Sequence, residues 1–361
     1  MRSISELYNL YLSSNAVFDY PEDERIFRTR FKRLAFILLL ILVAISPLLF
    51  NEGHYFILNL VLVNLIGAVG LNLLIGLTGL LSLGHAAFLA VGAYSAALLV
   101  TKLGFPLILA ILSAGLVAAL FGLLVGVPSL RIKGFYLMVA TLAFQFIIDY
   151  AIIHWEGLTR GIRGIELPTP VILGVSLEKH VTFFFFSFLV AALLMWGAKN
   201  LTRSKIGRAF VAIRDNDVSA EIIGVPVFRY KLLSFAIASF YAGIAGALFC
   251  SLQRAAMPGD YGFFHSVMFL AMVLVGGLGS LLGTVFGVLF ITLIPFVLDS
   301  IVSWLARIYD PNITIILGPV KDLVFGLLII LFIIFEPVGL VGIWVKFRDY
   351  FRIWPLPYIS E

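Results

Sequence analysis

Charge is scarce in this sequence. Asp, Glu, Lys and Arg make up 12% of its 361 residues, where soluble domains carry about 25%. Apolar residues reach 61%, Phe alone occurs 33 times, and the mean hydropathy is +1.09. No soluble core could bury such a fraction. Cysteine occurs once, at Cys250, so no internal disulfide is possible, and a lone thiol reads as a small buried apolar residue. No G-x-x-x-x-G-K-[ST] phosphate loop, H-E-x-x-H pair, Cys/His cluster or nucleophile elbow is present. His54, His85, His154, His180 and His265 are scattered singly. The chain is therefore expected to be no enzyme, with no catalytic residue, no metal site and no cofactor of its own.

What is present is a series of long apolar runs. They are continuous and of bilayer-crossing helix length, about 17–25 residues, rather than the ten-residue alternating segments of a membrane β-barrel. The fold class expected is all-α, a polytopic membrane protein of about ten transmembrane helices with broken or re-entrant segments possible. Spans are expected near 34–50, 55–77, 83–101, 106–128, 134–153, 180–199, 231–252, 263–281, 282–300 and 314–335. Around Gly76–Gly84 and Gly276–Gly283 the apolar run barely pauses, which fits either a tight turn or a broken helix.

Basic residues collect at Arg25–Arg33, at Arg131 and Lys133, at Lys199–Arg214 with Arg229 and Lys231, and at Lys346–Arg352. Ten spans with a cytoplasmic N-terminus place all four clusters on the cytoplasmic side, as short-loop Lys and Arg demand. Both termini are then cytoplasmic. The expected division is a tail over 1–33, a membrane domain over 34–345 with a cytoplasmic loop at 200–230, and a tail over 346–361. The 1–33 segment has no apolar stretch behind a basic leader and is not read as a signal peptide. Its end reads either as a surface helix on lipid or as a solvated tail. The net charge of +5 reflects membrane orientation and implies no nucleic-acid partner.

Ionisable residues are nearly missing from the middle of the spans. Asp149, Asp299, Lys321 and Asp322 sit near predicted outer ends, where they reach the interface. Proton or voltage coupling would place such residues deep in the bundle, so energy is expected from a partner.

Two segments carry the functional reading. Gly70–Val100 sets Asn72, Thr78, Ser82, Gly84, His85 and Tyr94 among glycines and alanines. Small residues permit close helix approach, and a helix break at membrane depth is tolerated only against protein or a water-lined cavity. The string 79–85 reads as a break, a cap at Ser82 and a new helix start. The segment is a candidate substrate pathway, or else packing held by interhelical hydrogen bonds. Val275–Gly287 loosely echoes it, a hint of an internal repeat. The second segment is Lys205–Gly224, with apolar positions Ile206, Phe210, Ile213, Val218 and Ile222 on an approximate stripe. Asp215 or Asn216 is placed to cap a second short helix that Gly224 stops. Gly207, Arg208, Arg214, Asp215, Asp217, Glu221 and Gly224 are the candidate contact residues of this loop, which suits docking in a partner's groove or serves as an ordinary interfacial linker.

GLNLLIGLTGLLSLGHAAFLAVGAYSAALL resembles the permease subunits, M-type, of branched-chain amino-acid ABC importers. The string from Gly207 through Gly224 is similar to that family's G-R-A-x-x-A-I-R-[DE]-[ND]-[ED]-x-x-A-[EA]-x-x-G loop, and GGLGSLLG and Glu336–Trp344 are similar as well. The resemblance covers residues 55–345. It implies a bacterial inner-membrane permease for branched-chain or related amino acids, surrounded by membrane lipid. It also implies a second homologous permease, two ATP-binding cassette subunits that hold the ATP, and a periplasmic solute-binding protein. Urea, short amides or other small polar solutes are the alternative cargo, and a stand-alone channel or secondary carrier the alternative mechanism. One departure stands out: the family's T-G-G-x-x-G-[IL] string reads Thr159-Arg-Gly-Ile-Arg-Gly-Ile165, with Arg160 in place of a glycine and Arg163 in the variable part.

Overall fold

The structure is a computed structural model and describes residues 43, 46–47, 51–129, 134–172, 175–308, 313–336 and 338–353. The tail 1–33, nearly all of the expected span 34–50, the basic pair Arg131 and Lys133, and residues 354–361 lie outside the described residues. Glu52–Glu361 forms one compact body, a unit distinct from residues 1–51.

The helices of that body are α1 Glu52–Thr78, α2 His85–Leu103, α3 Leu107–Ser129, α4 Phe135–His154, α5 His180–Arg203, α6 Lys205–Asp215, α7 Asp217–Ile222, α8 Val227–Gln253, α9 Phe263–Gly276, α10 Leu281–Ile308, α11 Ile313–Phe335 and α12 Leu340–Ile353. Eight of the described helical segments are long and apolar enough to cross a membrane, and α11 carries a further apolar stretch, Leu323–Phe332. The chain is an all-α polytopic membrane protein. The expected spans from residue 55 onward correspond to these helices, with changes at some ends; the helix expected to end at 300 runs on to Ile308. The span expected at 263–281 stops at Gly276, because Gly277 takes φ 118° and turns the chain. The span expected from 231 starts at Val227, behind Pro226 as N-cap. The boundary at 345 falls inside α12, which is continuous through it.

α1 and α8 form the centre and are buried over most of their length. In lipid there is little hydrophobic force between helices, so contact depends on close backbone approach. Glycine supplies it here. A Cβ on Gly243 of α8 would stand 2.5 Å from Ala118 Cβ and 2.7 Å from the Ala114 carbonyl of α3. One on Gly92 of α2 would run into the Gly243 carbonyl. α2 and α3 thus meet α8 at the same point.

Polar side chains of α1 add interhelical hydrogen bonds. Asn59 donates to the His180 carbonyl at 2.9 Å and accepts from Ser187 at 2.8 Å, both from α5. Asn64 donates to Thr292 of α10 at 3.1 Å.

On one face, four two-residue strands join the loops. β1 (Ile165–Glu166) pairs antiparallel with β4 (Ala255–Ala256), and β2 (Val171–Ile172) with β3 (Val175–Ser176). Ser204, α6 and α7 lie on the opposite face, where α1 ends and α8 begins.

Candidate functional site

Two interruptions in the apolar helices set the geometry. The first follows Thr78. Gly79 takes φ 71°, a left-handed conformation that favours glycine, and residues 79–84 run without helix to His85. The His85 Nε2 lies 2.9 Å from the Gly67 carbonyl, and its ring meets Phe269 edge-on at 5.4 Å between centroids. Gly67 sits eleven residues before the end of α1, about 16 Å back along the helix. Six extended residues span at most about 20 Å. The segment 79–84 therefore climbs back beside α1, and α2 starts partway through the bundle. This is a re-entrant break, not a tight turn between two full spans.

A helix start inside the bundle leaves amide groups that lipid cannot satisfy. Ser82 is the cap expected from the local sequence, but its hydroxyl accepts from Gly84 N at 3.4 Å, short of the helix. The N-cap position is Gly84, which has no side chain to offer. A neighbouring helix supplies the partner: Ala86 N donates to Ser266 Oγ of α9 at 2.8 Å. Ser266 donates in turn to Gln145 Oε1 of α4 at 3.1 Å, and Gln145 Nε2 donates to the Tyr261 carbonyl at 2.8 Å and to Asp149 at 3.0 Å. Thr141 of α4 holds the segment itself, accepting from Leu83 N at 3.0 Å, while a Cβ on Gly84 would run into the Thr141 carbonyl.

The second interruption, Gly277–Ser280, separates α9 from α10. Gly277 and Gly279 take φ 118° and 76°. The two interruptions touch. Asn72 Oδ1 accepts from Gly279 N at 2.8 Å, and its Nδ2 donates to the Ser280 carbonyl at 3.1 Å and to Thr284 Oγ1 at 2.7 Å. A Cβ on Gly76 would overlap Gly279 N. The sequence echo between the two glycine-rich segments thus corresponds to two breaks packed against each other.

The six candidate pathway residues divide accordingly. Asn72 clamps the second break and His85 braces α2 on α1. Thr78 donates to the Leu74 carbonyl and sits 3.5 Å from Ser234. Ser82 and Gly84 lie in the re-entrant segment. Tyr94 lies further along α2, 6.4 Å from Tyr261 between ring centroids. Among the described residues, the hydroxyls of Tyr94 and Tyr261 are buried and without a hydrogen-bond partner.

The loop between α5 and α8 is a helix pair. Ser204 caps α6, accepting from Ile206 N and Gly207 N. Asn216, of the two candidates, caps α7, accepting from Ser219 N at 3.0 Å. Gly224 takes φ 90° just past α7 with open space around it. The expected single apolar stripe is split. Phe210 and Ile213 of α6 are buried against the body, whereas Val218, Ile222 and Ile223 are 60%, 80% and 74% exposed. Asn216 is extended (φ −163°, ψ 113°) and breaks the helical phase between the two short helices, the second of which buries Ala220 instead. Gly207 is wedged against α5, where a Cβ would overlap the Leu201 carbonyl. Arg208 reaches the Arg203 carbonyl at 3.4 Å, and Glu221 is exposed. Asp217 pairs with Lys231 at the start of α8. Arg214 pairs with Asp215 at 3.1 Å and donates through Nη1 to the Gly76 carbonyl at 3.0 Å.

Sequence reasoning missed Thr141, Gln145, Ser266 and Thr284. Each is a polar residue within a predicted span, and a search for buried polar residues among apolar runs would have found them.

Helix breaks pinned inside a bundle serve proteins that move solutes through the membrane, and the chain is of the class of membrane transport permeases. More narrowly, it belongs to the branched-chain amino acid transport system permease component family, whose model matches residues 53–333. It is 34% identical over 274 residues to the high-affinity branched-chain amino acid transport system permease protein LivM of Salmonella typhimurium, an alignment covering 69% of this chain and 64% of the relative. LivM of Escherichia coli matches at 34% over 273 residues with the same coverage. The autoinducer 2 import system permease protein LsrC of an Enterobacter species is 33% identical over 209 residues, 54% of this chain and 57% of the relative. The chain thus spans somewhat under two thirds of the LivM relatives. No solved structure matches it.

Proposed function

We propose that the chain is the membrane permease subunit of an ATP-driven importer for branched-chain or related amino acids. One observation carries the reading: α7 offers Val218 and Ile222, and its C-cap Ile223, to solvent on a short helix that α6, the Asp217–Lys231 pair and the start of α8 hold to the body. An exposed apolar helix face of this kind suits a groove on another protein. The partners are two ATP-binding cassette subunits, which hold the ATP, together with a second homologous permease and a periplasmic solute-binding protein on the far face. The face bearing α6 and α7 is cytoplasmic, since it carries Lys199, Arg203, Lys205, Arg208, Arg214, Arg229 and Lys231 in one short segment. Both termini share that side, and the membrane is the bacterial inner membrane. Residues 200–230 form the coupling loop. Val218, Ile222 and Ile223 seat in the ATPase groove, Arg208, Asp215 and Glu221 meet its rim, and Gly207 and Gly224 permit the backbone path. Asn72, Thr78, Ser82, Gly84, His85 and Tyr94 wall or brace the solute passage, with the Tyr94 and Tyr261 hydroxyls as unpartnered polar groups beside it.

Ile222→Glu tests the docking. The residue is exposed, so the variant should fold as the wild type does, yet it should lose the ATP-binding subunits on copurification. Full recovery of those subunits would refute the placement. Uptake of leucine into proteoliposomes bearing the whole complex, in competition with urea and acetamide, tests the cargo. Stronger competition by the amides than by isoleucine or valine would refute the amino-acid assignment.

A further inference from the structure

The side chain of Arg214 occupies a socket built from both helix breaks. Its Nη1 donates to the Gly76 carbonyl at 3.0 Å, one of the last carbonyls of α1, which has no intrahelical partner at a helix end. A positive group at a helix C-terminus is also favoured by the aligned peptide dipoles. The absence of a side chain at Gly79 leaves room for the arginine stem: a Cβ there would stand 3.2 Å from Arg214 Cγ. At Gly279, in the other break, a Cβ would stand 3.5 Å from Arg214 Nη1. The rest of the guanidinium is held from the opposite side by Asp215, through Nε at 3.2 Å and Nη2 at 3.1 Å. Asn72 ties Gly279 and Ser280 back to α1. Arg214 therefore ties the last turn of α6 to the end of α1 and lies within van der Waals reach of both breaks.

We propose that Arg214 is the positioning residue that transmits movement of the α6–α7 pair to the two breaks, so that withdrawing α6 frees the C-terminal end of α1 and the Gly277–Ser280 turn together. The proposal rests on the coupling reading given above. Arg214 acts within the permease and does not contribute to holding the ATPase. A lysine cannot reproduce it, because one ammonium lacks the planar fork that reaches the Gly76 carbonyl while engaging Asp215 on two further nitrogens.

The test uses the whole complex in proteoliposomes, with the permease as wild type, Arg214→Gln, Arg214→Lys, and Arg307→Gln as an exposed arginine outside both the socket and the coupling loop. For Arg214→Gln, the ATP-binding subunits should copurify at wild-type yield and basal ATP hydrolysis should stay within about twofold. Leucine uptake should fall at least about tenfold, so that the ATP spent per leucine moved rises by a similar factor. Arg214→Lys should recover only part of the uptake, and Arg307→Gln should match the wild type. A merely structural role would lower yield, hydrolysis and uptake together and leave that ratio unchanged, which overturns the proposal. Normal uptake by Arg214→Gln overturns it as well. Loss of the ATP-binding subunits in Arg214→Gln alone would assign the residue to the docking surface instead and would also overturn it. If the wild-type permease itself fails to retain those subunits, the coupling reading falls, and this inference falls with it.

Discussion

The three asparagines of α1 form a graded series from which the energetics of the bundle can be measured. Asn64 makes one interhelical side-chain hydrogen bond, Asn59 makes two, and Asn72 makes three. Hydrogen bonds between helices in lipid average about 0.6 kcal/mol each. Leucine matches asparagine in the branching of its heavy atoms and suits the surrounding apolar bundle. Asn64→Leu should then cost about 0.6 kcal/mol, and Asn59→Leu about 1.2 kcal/mol. Asn72→Leu should exceed the series. It removes about 2 kcal/mol of hydrogen bonding and leaves the Gly279 N–H facing an apolar side chain, at a cost of about 1–3 kcal/mol. Part of that second cost is already counted in the lost bond, so about 2–4 kcal/mol is expected. Reversible unfolding of the full chain in mixed micelles, titrated with SDS, reads these differences as midpoint shifts at constant slope. The Asn72–Thr284 pair can be isolated by a double-mutant cycle with Thr284→Val. Equal losses at all three sites would refute the reasoning, because they would show that burial rather than partnership sets the energy. So would a loss at Asn64 greater than that at Asn72.

Three other substitutions probe separate parts of the geometry. Gly243→Val places a branched side chain where a Cβ is already 2.5 Å from Ala118; it should destabilise by about 3 kcal/mol or more, read as loss of the monodisperse peak in detergent, with Gly243→Ala milder. Arg160 takes φ 61° where the family's string has glycine, and left-handed backbone costs an ordinary residue roughly 1–2 kcal/mol; Arg160→Gly should therefore raise the thermal midpoint, and a fall would refute the strain. Lys231→Met strands the Asp217 carboxylate, so it should impair solute-stimulated ATP hydrolysis more than the double variant Lys231→Met with Asp217→Asn does; equal activities of single and double variants would remove the pair from the mechanism.

Much of this arrangement was legible from residue type and spacing. Continuous apolar runs placed the helices, since length against bilayer thickness is nearly sufficient. The glycines near 79 and 277 marked the interruptions, because a positive φ is hard to reach otherwise. What escaped was everything fixed by long-range pairing. Ser82 is the local choice to cap α2, yet Ser266, 180 residues away from its Ala86 partner, does so. The return of 79–84 toward Gly67 could not be told from a turn, since the residues are the same in both and only the contacts of His85 with Gly67 and of Leu83 with Thr141 separate them. In the loop at 200–230, the expected single apolar stripe is split. The extended cap at Asn216 breaks the helical phase, leaving Phe210 and Ile213 buried and Val218 and Ile222 exposed, and a one-dimensional period does not see such a cap.

The re-entrant segment also bears on how the chain is made. From Gly76 to Ala86, the backbone depends on Thr141, Arg214 and Ser266 for polar contacts that lie 58, 138 and 180 residues further along the chain. At about 5–20 residues per second of synthesis, the segment waits several seconds or more for its last partner. During that interval its bare amides cannot rest in hydrocarbon. The nascent segment must therefore stay in the aqueous vestibule of the insertion machinery or in the headgroup region. It settles between α1 and α4 only after α9 has been delivered. A chain truncated before α9 should accordingly be a substrate for membrane quality control, even though α1, α2, α3, α4, α5 and α8 are all complete by then.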